Sequence, residues 1–182
     1  MGYFKDTLKG VGWMTALRGT TRGLAVLKIA ILARILSPSQ FGVYGIALLT
    51  LGFLEVLTET GINIFLIQEK DDTQKYLDSA WVVSIIRGVL ISLIILASIP
   101  AVILFFHTPQ VKTLLYLVAG VALVRGFINP MRVVYQKNLQ FMKEFLFQGF
   151  LFFIDAAVAV SVGFATKSEI SMIIAMLAAA LV

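Results

Sequence analysis

Long apolar stretches separated by short polar breaks constrain this chain more than any other feature. Five run at about 11–36, 41–66, 78–106, 111–135 and 145–165, and a sixth begins near 169. About 20 apolar residues cross the hydrocarbon layer of a bilayer as an α-helix, so each of the five is long enough to span with some tilt. Composition agrees. Of 182 residues 59% are hydrophobic and 14% charged, against about 45–50% and 25% in soluble domains. Ten acids and fifteen bases cannot coat a protein of this size for water. The expected fold class is all-α: a polytopic transmembrane helix bundle of five full spans and a truncated sixth, forming a single transmembrane domain over residues 1–182.

The breaks carry turn chemistry. Ser37-Pro38-Ser39-Gln40 closes the first segment, because a proline pushes the residue before it out of helical geometry. Thr108-Pro109 does the same after the third. Asp71-Asp72-Thr73 lies in the longest polar loop. Thr166-Lys167-Ser168-Glu169 ends the fifth segment, with Ser168 a candidate N-cap for the sixth. Pro130 either kinks the fourth segment or ends its helical portion. Gly42, Gly45 and Gly52 suggest close helix packing along the second. No cleavable signal sequence, domain linker or short repeat is evident, so the first helix is expected to direct insertion. The sixth segment has about 14 residues before Val182, short for a span, which predicts that the chain is the front part of something longer.

Orientation follows from the loop bases. With the N-terminus inside, Lys5, Lys9, Lys70, Lys75, Arg132, Lys137 and Lys143 are cytoplasmic, while Arg34, Lys112 and Lys167 are outside. Seven against three favours a cytoplasmic N-terminus, since acids contribute little to this bias. The net charge of +5 is therefore topological, and no nucleic-acid partner is implied. The chain has no cysteine and one histidine, His107, which is expected in an external loop. Disulfides, thiolate nucleophiles and multi-histidine metal sites are excluded, and no cofactor or metal is called for.

Charges inside the apolar segments need a reason, because one at mid-membrane costs roughly 2.5–3.5 kcal/mol on insertion scales. Arg18, Arg22, Lys28, Glu55, Glu59, Arg87, Arg125 and Asp155 are such residues. At 100° per residue, Thr15, Arg18 and Arg22 share a face of the first helix. Glu55, Thr58, Glu59 and Ile62 share one of the second, with Asn63 at its edge. Ser84 and Arg87 share a face of the third, Arg125, Asn129 and Arg132 of the fourth, and Gln148 and Asp155 of the fifth. Five striped helices can enclose a polar cavity shielded from lipid. With the N-terminus inside, the arginines collect toward the cytoplasmic mouth. Arginine presents a planar fork matched to phosphate oxygens, so a phosphate or pyrophosphate headgroup entering from the cytoplasm is the natural ligand. Arg18, Arg22, Arg87, Arg125, Arg132 and Asn129 are the candidate substrate-binding residues. Glu55, Glu59 and Asp155 are candidates for coupling to a proton or cation. Blander roles stand beside these: arginines near the interface snorkel, and acids neutralise bases on neighbouring helices.

The run from Ile31 to Tyr44, ILARILSPSQFGVY, resembles the end of the first helix in polysaccharide biosynthesis proteins of the multidrug/oligosaccharidyl-lipid/polysaccharide exporter superfamily, the Wzx-type oligosaccharide flippases. Phe53 to Asn63, FLEVLTETGIN, is similar to their second helix. Gln68-Glu69-Lys70 resembles the start of their first cytoplasmic loop, and Arg125 to Pro130 with Gln136 to Phe141 resembles their fourth helix and the following loop. The likeness covers essentially the whole chain, as the N-terminal half of such a protein. It implies the N-lobe of a MATE-like, multi-pass protein of the plasma (inner) membrane. It also implies flipping of a polyprenyl-diphosphate-linked oligosaccharide to the outer leaflet by alternating access, for O-antigen, capsule or exopolysaccharide synthesis. Membrane lipid, a polysaccharide polymerase and glycosyltransferases are the implied partners. The competing readings are a small-molecule cation antiporter of the same superfamily and a non-transporting fragment or membrane scaffold. An enzyme is not expected, because Asp71-Asp72 is the one acidic pair and nothing nearby completes a site around it.

Overall fold

A computed structural model describes residues 2–59, 61, 74–129 and 141–182. Within them six helices follow one another: α1 Gly2–Leu32, α2 Pro38–Leu57, α3 Gln74–Phe106, α4 Val111–Gly126, α5 Phe141–Thr166 and α6 Ile170–Leu181. The stretches Pro38–Leu57, Tyr76–Phe106 and Met142–Thr166 are each long and apolar enough to cross a membrane. α1 begins at Gly2, well before the apolar stretch does, because Lys5, Asp6 and Lys9 are compatible with a helix although not with lipid. α4 has 16 residues.

Three tight turns join α1 to α2, α3 to α4 and α5 to α6. Ser37 caps α2 in a reciprocal box. Its hydroxyl accepts from the Gln40 N–H, and its own N–H donates to Gln40 Oε1 at 2.8 Å, with Pro38 in the first turn. These are the helix-start rules acting together. The turns after α3 and α5 each pass through a left-handed residue, His107 at φ 51° and Lys167 at φ 49°, a conformation that ends helices but is strained for residues with a Cβ. Ser168 does not serve as the N-cap of α6. Glu169 takes that position in helical geometry, and the Ser168 hydroxyl accepts from the Ile170 N–H instead. Gln40 Nε2 donates to the Lys167 carbonyl at 3.0 Å, so the first and third of these turns lie side by side.

Packing runs from α1 to α5, from α5 to α6, from α6 to α4, and from α4 to both α2 and α3. The larger core joins Val43, Ala47, Leu51 and Leu54 of α2, Ile91, Ile95 and Ile99 of α3, Leu114, Leu115, Val118 and Val121 of α4, and Ile173 of α6. The four-residue spacings on α2 and α3 are those of one buried helix stripe. A smaller core joins Leu32 and Leu36 to Ala159, Met172 and Ala175. The opposite faces carry large apolar side chains in the open, among them Leu49, Phe53, Leu93, Phe105, Phe150 and Phe153. Such a surface suits lipid and not water.

The close helix contacts fall on other glycines than Gly42, Gly45 and Gly52. A Cβ at any of those three would meet nothing within 4 Å. The tight seam is between α3 and α4, where a Cβ on Gly88 would stand 2.7 Å from Gly126 Cα and one on Gly126 would stand 2.9 Å from Gly88 Cα. Backbone meets backbone there, as in small-residue crossings of membrane helices. At Gly163 an added Cβ would fall 2.6 Å from Leu32 Cδ2, which fits α5 against the end of α1. Gly88→Ala should therefore destabilise the protein by about 1–3 kcal/mol through overpacking. Gly45→Ala should leave stability unchanged or raise it by up to about 1 kcal/mol through helix propensity. Thermal unfolding of the detergent-solubilised variants reads the opposite signs.

Candidate functional site

A helix leaves its last carbonyls without intrahelical partners. At the end of α2 these are met by side chains from two helices. The Thr58 N–H and hydroxyl both donate to the Leu54 carbonyl, at 3.0 and 2.6 Å. Arg87 of α3 donates from Nη2 to the Glu55 carbonyl at 2.6 Å and from Nε to Thr58 Oγ1 at 3.2 Å. A cation at this end also meets the negative pole of the helix dipole. The Glu55 side chain reaches the other way. Its Oε1 accepts from Arg125 Nη1 of α4 at 2.9 Å, with the two side chains 37% and 40% exposed. Glu55 thus holds one guanidinium on its backbone and another on its carboxylate.

Two neighbouring contacts set the spacing of these arginines. Gly88 and Gly126, the residues immediately after Arg87 and Arg125, form the α3–α4 seam. Trp81 Nε1 donates to the Phe127 carbonyl at 2.9 Å, fastening the start of α3 to the end of α4.

Asn129 is placed differently from the expected stripe. α4 ends at Gly126, and the N–H groups of Phe127 and Ile128 bond back to Val124 and Arg125. Asn129 is exposed beyond the helix and does not continue the helical face of Arg125. Arg132 lies outside the described residues, as do Pro130, Asp71, Asp72, Ile62 and Asn63. Glu59 is exposed just past α2 and is not a member of the Glu55–Arg125 pair. Arg18 and Arg22 are exposed on α1, whose main packing partner is α5. The structure brings Arg87, Arg125 and Glu55 together and leaves Arg18 and Arg22 on a different helix pair.

Asp155 belongs to that other pair. Its Oδ2 accepts from Lys28 Nζ at 2.5 Å, with the side chains 14% and 16% exposed. This joins the last turns of α1 to the middle of α5. Gln148, expected beside Asp155, donates to Glu144 Oε1 one turn back in its own helix. Glu144 is buried in the first turn of α5, where a carboxylate faces the positive pole of its helix. No motif marks Glu144 in the sequence.

The model of a family described as polysaccharide biosynthesis protein matches residues 31–182. The chain belongs to this family. It is 26% identical over 89% of its length to an uncharacterized membrane protein in the cps region of Klebsiella pneumoniae, covering 33% of that protein. Over 42% of its length it is 31% identical to the succinoglycan biosynthesis transport protein ExoT of Rhizobium meliloti, covering 16%. Over 79% it is 22% identical to the lipopolysaccharide biosynthesis protein WzxC of Escherichia coli, covering 29%. The chain spans about a third or less of the length of these curated relatives. No solved structure matches it. With three helices long and apolar enough to cross a bilayer, this family member is a multi-pass membrane protein.

The Lys28–Asp155 pair makes a sharp expectation. Lys28→Met or Asp155→Asn alone strips a largely buried charged hydrogen bond of one partner and should cost about 1.5–3 kcal/mol. The double variant should cost less than the sum of the singles, because no charge is left buried alone. Unfolding of the four proteins in one detergent measures the coupling.

Proposed function

We propose that this chain forms one wall of a transporter that flips an anionic, polyprenyl-diphosphate-linked sugar across the plasma (inner) membrane for cell-surface polysaccharide synthesis. The sugar moves from the cytoplasmic to the outer leaflet. In this reading the chain is the N-lobe of a MATE-like bundle with five full spans and its N-terminus in the cytoplasm. Family membership supports the substrate class. The observation that carries the anionic reading is the pair of guanidiniums, Arg87 and Arg125, grouped around Glu55 by the Gly88–Gly126 seam. Arg125 is exposed enough to meet a ligand and presents a fork suited to phosphate. Arg87 is half-buried and already holds the end of α2, so its part is to fix the site and add positive potential. Arg18 and Arg22 would extend the same field along α1. A cation antiporter is less well supported, because Glu55 and Asp155 are each paired with a base.

Replacing Arg125 by Ala in the full-length protein should lower export of lipid-linked sugar about tenfold or more, the scale of one lost charge-assisted hydrogen bond to phosphate. The Arg87→Ala, Arg125→Ala double variant should abolish it. Surface polysaccharide in cells that depend on this protein is the readout, with membrane levels of each variant measured in parallel. Normal export at normal protein levels would sink the proposal.

A further inference from the structure

Two charge pairs among the described residues differ in a way that bears on ligand binding. Lys28 and Asp155 are largely shielded and join α1 to α5. Glu55 and Arg125 are each more than a third exposed and sit beside a second guanidinium. A shielded pair is built to stay closed, whereas an exposed pair contributes little and exchanges easily.

We propose that the Glu55 carboxylate is the resident counter-anion of this site, held on Arg125 until an incoming phosphate displaces it. The inference rests on the anion-transport reading above and adds a role for Glu55 within it. Three features carry it. Glu55 cannot drift away, because Arg87 grips its carbonyl at 2.6 Å and so tethers the carboxylate near Arg125. A tethered competitor acts at high effective concentration. Next, the contact to Arg125 is a single hydrogen bond from Nη1. A phosphate brings more charge and more acceptor oxygens, and arginine bonds it in the stronger two-pronged manner. Finally, among the described residues the hydrogen bond from Arg125 is the one recorded for this carboxylate, so its displacement disrupts nothing else there.

This arrangement filters ligands by charge. A neutral sugar has nothing to offer Arg125 in exchange for the carboxylate, whereas a diphosphate does. It also assists release, since the carboxylate reclaims Arg125 when the headgroup leaves. Glu55 is thus a specificity-determining residue that need not touch the transported molecule.

The test is binding of inorganic pyrophosphate to the full-length protein in uncharged nanodiscs, by calorimetry, for the wild type, Glu55→Gln, Glu55→Ala, Arg125→Gln and the Glu55→Gln, Arg125→Gln double variant. Both Glu55 variants should bind about two- to fivefold tighter, the range that an exposed ion pair spans. The gain should vanish in the double variant. An affinity gain is not the mark of a damaged fold, and two replacements of different shape guard against a local distortion. If Arg125→Gln weakens binding while both Glu55 variants bind like the wild type or more weakly, the counter-anion role is overturned and the anionic site stands. If Arg125→Gln binds pyrophosphate as the wild type does, both readings fall.

Discussion

The seating of Arg87 on the end of α2 is the contact on which the rest of the charged site depends. A helix terminus in an apolar surround has no water to meet its carbonyls. Arg87 meets one of them and the Thr58 hydroxyl at once, fixing where α2 stops relative to α3. The direction in which Glu55 projects follows from that, and so does its meeting with Arg125. The guanidinium gains in return, because the dipole of α2 offsets its charge without a buried carboxylate.

α4 occupies the middle of the bundle, with contacts to α2, α3 and α6, and its buried residues gather on one broad face. α1 is attached from one flank through α5. Leu32 against Gly163 and Lys28 against Asp155 fasten it there, and both lie in its last turns. Its earlier turns carry Arg18 and Arg22 on an exposed surface. The arginines thus belong to two separately anchored groups, one centred on α4 and one carried by α1.

Much of this was legible in the residues. Apolar length places α2, α3 and α5, and the Ser37-Pro38 and Thr108-Pro109 breaks fall where the chain turns. In-span charge singles out Glu55, Arg87, Arg125 and Asp155, and the structure gives each a polar contact with another helix. What was not legible is set by partners far off in the chain. Gly42, Gly45 and Gly52 look as suitable for close packing as Gly88 and Gly126, and only the neighbouring helix tells them apart. α4 ends at Gly126, three residues before Asn129, so helical spacing carried through to Asn129 goes astray. Lys28 and Asp155 are 127 positions apart, and no local pattern links them. One hint was present: Arg87 and Arg125 are each followed by glycine, so a cation and a bare backbone arrive together on both helices. Arg18 and Arg22 are also followed by glycine, yet Gly19 and Gly23 face open space, so the dipeptide alone does not decide.

The seam between Gly88 and Gly126 has a mechanical consequence. With no side chain between the two backbones there is no cushion to compress, and sliding one helix along the other would drive Cβ atoms of adjoining residues into main chain. α3 and α4 are therefore interlocked at this crossing like parts of a single strut. Arg87 and Arg125 ride on that strut at a fixed separation, like two teeth on one comb. Any shift of that strut would move both together and would not spread them apart. In the proposed transport reading, their hold on an anion would be altered by what is brought up against them, and not by any widening of the gap between them.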